Sequence, residues 1–316
     1  MDVRAEFDRR GYNIIAVVGP TASGKTALGT ALAQRLDGEV VSCDSMQVYR
    51  GMDIASAKPT AVERAAVPHH LIDYVNQDEP YSVARFCEDA NAAIADIEAR
   101  SKLPVLVGGT GLYVNSLLDG VNFVGAAGND ELRRKLLARA ETEGGEALLN
   151  ELASLDPETA ARLHKNDIKR ITRALEMSLS GGADMSEQIR LSKHGGTRFK
   201  PLMIGINFTD RDRLYERINR RVDMMLEAGL ADEARLTFEK AGGLPTAAQA
   251  IGHKELFPYF AGEKSLEECV EHLKMQTRRY AKRQLSWFRR DERINWIYAD
   301  RVDDVAAEVE RIIRGE

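Results

Sequence analysis

The chain runs to 316 residues, 44% of them apolar, and carries 44 basic against 49 acidic side chains for a formal charge of −5. That much apolar chain buries a sizeable core, in one large domain with an insertion or in two domains, while the negative balance alone argues against a nucleic-acid partner, because phosphate backbones are held chiefly by Lys and Arg. Cys43, Cys87 and Cys269 are odd in number and far apart, which speaks for reduced thiols in structural roles and against a disulfide framework or a zinc site.

Residues 1–10 alternate charge without a continuous apolar segment, so neither a signal peptide nor an anchor is expected, and no run elsewhere is long enough to span a bilayer. A cytoplasmic protein follows. The apolar run at 14–18 reads as a strand and residues 27–36 as a helix. Between them stand Gly19, Pro20, Thr21, Ala22, Ser23, Gly24, Lys25 and Thr26, the pattern G-x-x-x-x-G-K-[ST]. Its glycines let backbone N–H groups turn in around phosphate oxygens, the helix N-terminus adds partial positive charge, Lys25 adds a formal one, and the Thr26 hydroxyl reaches a magnesium ion. A di- or triphosphate is expected here, in a loop of the nucleotide- and ATP-binding kind.

Residues 40–43 predict the next strand, ending at Asp44, a strand-end carboxylate of the kind that faces the acceptor in small-molecule kinases. Residues 81–100, opened by Pro80 and rich in Ala, predict a helix. The strand at 103–107 ends in Gly108-Gly109-Thr110-Gly111, not in the carboxylate of a motor or transport ATPase, and no N-K-x-D motif follows as a GTPase requires. From 125 to 196 Ala, Leu, Glu and Arg dominate, and Gly- and Ser-rich stretches at 178–182 and 194–196 close the segment, which predicts a helical insertion with flexible edges. The strand pattern resumes at 201–206, so the insertion interrupts the sheet, and helices follow at 214–228 and 266–290. The fold class is therefore α/β: a parallel sheet bearing the phosphate loop and flanked by helices, with a core of 1–124 and 197–316 and a mainly helical insertion of 125–196.

Residues 278–293 hold seven basic and two acidic side chains with Tyr280, Trp287 and Phe288 interleaved. Such a stretch suits phosphates and bases; a solvated helix face with core aromatics has the same composition. Lys165, Lys169, Arg170 and Arg173 make a second basic cluster. On these residues alone, two readings stand: an ATP-dependent small-molecule kinase, which has such a loop and a strand-end Asp, and a non-catalytic RNA-binding module, in which both would be idle.

Further motifs fall in a fixed order: residues 44–54 (Asp-Ser-Met-Gln-Val-Tyr-Arg-Gly-Met-Asp-Ile), Lys58-Pro59, residues 68–73 (Pro-His-His-Leu-Ile-Asp), Gly108 to Tyr113, residues 250–255 (Ala-Ile-Gly-His-Lys-Glu) and residues 282–289 (Lys-Arg-Gln-Leu-Ser-Trp-Phe-Arg). With the phosphate loop, this series closely resembles the tRNA dimethylallyltransferases, from about Ile14 to Trp296. Ending shortly after Trp296, without the zinc finger of eukaryotic members, the chain looks like the bacterial form. It has Ala55-Ser56 where members have Gly-Thr and His253 where they usually have Tyr; Ser56 keeps a hydroxyl and His253 a planar ring with polar atoms.

The resemblance implies transfer of a dimethylallyl group from its diphosphate to N6 of the adenine 3′ of the anticodon in tRNA, with release of pyrophosphate and Mg2+ as cofactor; the sequence does not fix the oligomeric state, and a monomer is the default expectation. The N6 lone pair is delocalised into the ring, so a carboxylate that takes the N6 proton is needed, and Asp44 is the candidate. Gly19, Thr21, Ala22, Ser23, Gly24, Lys25 and Thr26 would hold the diphosphate, with magnesium on Thr26, and stabilise the charge that builds on the leaving oxygen. Thr110 would set a second hydroxyl near that oxygen, and Arg217, on one helical face with Arg221, would clamp the diphosphate. The family's contacts to the tRNA anticodon stem-loop map to Asp44, Ser45, Met46 and Gln47, to Lys169, Arg170, Ile171, Thr172 and Arg173, to Gln249, Gly252, His253 and Lys254, and to Lys282, Arg283, Trp287 and Arg289.

Overall fold

A computed structural model describes residues 2–121, 123, 129–180, 184–187, 190, 196–240, 243–244 and 246–316. Its strands are β1 (Ile14–Val18), β2 (Gly38–Ser42), β3 (His69–His70), β4 (Leu103–Gly108), β5 (Pro201–Asn207) and β6 (Ile294–Tyr298), joined in one sheet of order β3-β2-β4-β1-β5-β6. Every pairing is parallel. All of β1 and β4 is buried, as expected where helices cover both faces and a strand reads as an unbroken apolar run. Register is set on both sides of β1, with Ile15 opposite Val105 of β4 and Leu202 of β5.

The first helices are α1 (Val3–Arg9), α2 (Lys25–Arg35), α3 (Ala61–Ala66), α4 (Val83–Ala99) and α5 (Gly111–Leu118). After β5 come α10 (Arg211–Glu227), α11 (Leu230–Glu239), α12 (Phe257–Phe260), α13 (Leu266–Phe288) and α14 (Val305–Arg314), so numbered because α6 to α9 lie in the insertion. Phe7, Leu28, Leu32, Val309 and Ile313, from α1, α2 and α14, pack with Ile15, Val17 and Val105 of the sheet in one core. Side chains alternate along a strand, and the intervening Ala16, Leu106 and Met203 are buried too, so both sheet faces are covered. Ser82 caps α4 by accepting from the Arg85 amide, and Ser265 with Glu268 forms a capping box that starts α13.

The topology dictates where function can sit. Parallel strands deliver their C-terminal ends to one edge, and β2, β4 and β1 are consecutive in the sheet. Asp44, Gly108 to Thr110 and the phosphate loop therefore emerge side by side, at the edge where open α/β sheets bind ligands.

The chain folds as two compact units, Met1–Leu118 with Phe199–Glu316, and Asp119–Arg198. The second contains α6 (Asp130–Glu143), α7 (Gly145–Leu155), α8 (Pro157–Ala160) and α9 (Ile168–Leu179) around Leu136, Leu148, Leu152, Ile171 and Leu175. The expected Gly- and Ser-rich edges at 181–182 and 194–195 lie outside the described residues. No helix among the described residues is long and apolar enough to cross a membrane.

Two strands went unforeseen. β3 has only two residues, both half-buried, and β6 at the sheet edge buries only Ile294 and Ile297 of its five residues. Neither offers the continuous apolar run by which β1, β2, β4 and β5 were recognised.

Candidate active site

The phosphate loop runs from β1 into α2. Gly24, immediately before α2, has φ +98°, a left-handed conformation open to glycine at little cost. The loop is braced from outside: the Thr21 amide donates to Gln284 Oε1 at 2.8 Å, and Arg217 Nε donates to the Ala22 carbonyl at 2.9 Å. Lys25 Nζ folds back to donate to the Pro20 carbonyl at 2.6 Å, while Ser23 Oγ is buried with no partner among the described residues.

From the end of β2, Asp44 turns the chain by accepting the Met46 amide at 2.8 Å and the Gln47 amide at 3.4 Å, both on Oδ1. No described donor meets Oδ2. From the end of β4, the Gly109 carbonyl accepts Gln284 Nε2 at 3.0 Å, and a Cβ on Gly109 would stand 2.2 Å from that nitrogen, so only glycine admits the contact. Gln284 on α13 thus ties the phosphate loop to the β4 turn. Thr110 Oγ1 accepts the Ser45 amide at 3.2 Å, which joins the β4 and β2 turns.

These turns enclose a cavity of about 320 Å³. Thr21, Lys25, Thr26, Asp44, Arg221, Tyr280 and Arg283 are among its polar lining residues, and Val107, Ile218, Val222, Met225, Ile251 and Leu273 are among its apolar walls. A cationic end with an apolar wall suits an amphiphile, a charged diphosphate carrying a short hydrocarbon. Burial, with Arg221 nearby, pushes the Lys25 ammonium down to about 7, the Asp44 carboxylate opposing the shift in part. Burial likewise lowers Arg221 and raises the Tyr280 hydroxyl, with Asp44 adding to the latter shift. Magnesium fits this donor set: the Thr26 hydroxyl and the Asp44 carboxylate line one cavity, and that ion is held by one or two protein oxygens beside substrate phosphates and waters.

The site residues expected from sequence divide. Lys25, Thr26, Asp44, Ser45, Met46, Gln47, Gln249, Gly252, Lys254 and Arg283 line the cavity together. Thr110 stands just behind the lining. Arg217 does too, over the Phe208 ring at 5.5 Å, while its neighbour Arg221 enters the cavity. The Gln47 amide is taken up in holding its own loop, donating to the Ser56 and Ala57 carbonyls at 3.3 and 3.2 Å. His253 is corrected outright as an RNA contact: its side chain is wholly buried against Glu233 and Thr237. Ile171 and Thr172 are corrected as well, since both are inside the insertion's own core, whereas Lys169 and Arg170 of the same helix are exposed. Lys282, Arg283, Trp287 and Arg289 are exposed, and Trp287 Nε1 donates to Asn115 Oδ1 at 3.2 Å. The structural roles of Gln284 and Glu233 were not foreseen; a single polar residue on a helix face carries no sequence signal for either.

A family model described as IPP transferase matches residues 47–291, and one described as isopentenyl transferase matches residues 12–73. A tRNA dimethylallyltransferase of Acetivibrio thermocellus is 45% identical over 292 residues, 92% of this chain and 93% of its own. That of Halalkalibacterium halodurans is 46% identical over 290 residues, 92% of each. Among solved structures, the tRNA isopentenylpyrophosphate transferase of Staphylococcus epidermidis aligns with a TM-score of 0.69 at 38% identity, covering 96% of this chain and 98% of that one. A eukaryotic dimethylallyltransferase solved acting on tRNA aligns with a TM-score of 0.78 at 32% identity, covering 95% of this chain and 78% of that one.

Proposed function

Because this chain belongs to the IPP transferase family, whose curated relatives are tRNA dimethylallyltransferases, we propose that it moves a dimethylallyl group from its diphosphate to N6 of the adenine 3′ of the anticodon in tRNA. The observation that carries this reading is the single cavity in which Lys25, Thr26 and Arg221 face Asp44 with an apolar wall between β4, α10 and α13. Cations for a leaving diphosphate, a carboxylate for an incoming amine and a hydrocarbon-lined space meet in one place.

In the mechanism we infer, Asp44 Oδ2 accepts a proton from N6 as the C–N bond forms. Lys25, Arg221 and the amides at the start of α2 receive the charge of the departing pyrophosphate. Arg221 takes the clamping role that sequence gave to Arg217, because Arg221 lines the cavity. When bound at Thr26, magnesium supplies further neutralisation of the diphosphate. Tyr280 and Ser45 hold Thr110 at the edge of this centre. We propose that it works on tRNA in the cytoplasm as a monomer. The test is direct. Protein, magnesium, dimethylallyl diphosphate and unmodified tRNA should yield an adenosine heavier by C5H8, whereas ADP release from ATP in step with turnover would favour the kinase.

Lys25 gives the site a pH signature. In the empty cavity its ammonium titrates near 7; a diphosphate beside it favours the charged form and raises that value. Binding at pH 8 should therefore take up about one proton. Calorimetry of pyrophosphate binding in buffers of different ionisation enthalpy reads this directly, as the difference between the parent and Lys25→Ala. Equal proton counts in the two would mean that Lys25 does not meet the diphosphate.

Exposed Lys282, Arg283 and Arg289 make no ion pair within 4 Å of a described residue, so their charge is available to tRNA despite the overall −5. If each of Arg283 and Arg289 meets one phosphate, Arg283→Ala and Arg289→Ala should each reduce the salt slope of tRNA affinity by about 0.7 to 0.9 units, and Arg289→Ala, whose side chain does not line the cavity, should leave donor binding unchanged. Three superimposable curves of affinity against salt would place the tRNA surface elsewhere.

A further inference from the structure

Behind the cavity wall stands a polar cluster that the reaction as described leaves unused. Ala55, Ser56 and Ala57 line the cavity. On the other side of this segment, the amides of Asp53, Ile54 and Ala55 converge on the Glu233 carboxylate of α11, at 2.7, 2.8 and 2.9 Å. The oxygen that serves Ala55, Oε1, is also met by His253 Nε2 at 2.8 Å, and His253 Nδ1 meets Thr237 Oγ1 at 2.9 Å. The His253 side chain is 0% exposed and that of Glu233 10%. Burial pushes the Glu233 carboxyl up, but the hydrogen bonds from His253, Ile54 and Ala55 outweigh it and hold the group below the usual carboxylate range. A buried anion with this many donors is a fixed point. Through it, consecutive residues of a wall that follows β2 are tied to helices that follow β5.

We propose that Glu233 and His253 are positioning residues that hold the 53–57 wall shut over the reacting centre and keep water from it, an inference that rests on the transfer reaction proposed above. The consequence is chemical. As the bond between the allylic carbon and the diphosphate oxygen breaks, its electron pair leaves with pyrophosphate, and the carbon takes the nearest nucleophile. With the wall seated, that nucleophile is N6 of adenine, whose proton passes to Asp44. With the wall loose, a water oxygen bonds to the same carbon and loses its proton to solvent, giving dimethylallyl alcohol and pyrophosphate. Water exclusion of this kind is a recognised task of closed active sites, and here it is assigned to named side chains that touch neither substrate.

Two variants test the assignment. Glu233→Gln keeps the size of the side chain but sets an NH2 group against at least one of the three backbone N–H groups. His253→Phe keeps a ring in place, leaves the three amide bonds and removes the imidazole donor. In each, the readout is the ratio of alcohol formed to prenyl group transferred, beside the affinity for inorganic pyrophosphate. Glu233→Gln should lower transfer by about 10- to 100-fold, the scale of a small misplacement at a reacting centre, with the alcohol ratio raised and pyrophosphate affinity retained. His253→Phe should move the ratio the same way by less, and it decides alone if Glu233→Gln does not fold. A parental alcohol ratio in a folded variant, or loss of pyrophosphate affinity in step with transfer, would overturn the proposal and leave the pair as general scaffolding. If the parent itself prenylates no tRNA, the transfer reading is what fails. The pair is then judged by hydrogen exchange at the 53–55 amides, which Glu233→Gln must accelerate.

Discussion

Asp44→Asn is expected to bind both substrates and to lose about 10²- to 10⁴-fold in single-turnover rate, the usual cost of removing a general base. The geometry explains why binding should survive. Asp44 Oδ1 accepts the Met46 and Gln47 amides, and an asparagine carbonyl oxygen can do the same, so the turn that positions the side chain is kept. The other oxygen, which no described donor occupies, becomes an NH2 group that cannot take the N6 proton and opposes the amine with donors of its own. The comparison to make is the rate of the first turnover at saturating donor and tRNA, beside the affinity for each. A first-turnover rate within a few-fold of the parent would remove Asp44 from the role of base, and loss of tRNA affinity without loss of rate would make it a binding residue.

The parts of the site that were legible in sequence are those whose chemistry demands a fixed local pattern. The phosphate loop needs glycines, Lys25 and Thr26 in one order between a strand and a helix, and a parallel strand end is where Asp44 had to project. Where the choice depended on packing, the sequence was silent or misled. Arg217 and Arg221 share a helical face, and nothing in a one-dimensional pattern says that the first would reach the Ala22 carbonyl from outside while the second entered the cavity. His253 lies between Gly252 and Lys254, which both line the cavity, yet its own ring is buried against Glu233. Likewise Ile171 belongs to the insertion's core because a helix repeats near every fourth residue, so neighbours in a basic run point to different sides. The two departures from the family pattern, at Ala55-Ser56 and at His253, looked unrelated in sequence. In space the backbone amide of Ala55 and the ring of His253 both bond to Glu233 Oε1.

Lys25→Ala should lower kcat/KM for the donor by about 10²- to 10³-fold, the scale on which one preorganised donor to a developing oxyanion acts. Burial, Arg221 and Asp44 act on the Lys25 ammonium, and burial, Asp44 and Arg217 on the Arg221 guanidinium. Burial and Arg221 make the Lys25 proton easy to lose when the site is empty, and the incoming diphosphate restores it. The sign of the pH dependence follows. Since kcat/KM reports the free enzyme, and the free enzyme holds the Lys25 proton only below about 7, kcat/KM for the donor should fall about tenfold for each pH unit above that value. At saturating donor the rate should fall much less, because bound diphosphate keeps the proton in place. In Lys25→Ala the descending limb of kcat/KM should vanish, leaving a low, flatter profile, with tRNA affinity unchanged. The same descending limb in the variant as in the parent would assign that titration to another group; a loss of tRNA affinity equal to the loss of donor affinity would mean that Lys25 supports the fold of the site and not its charge.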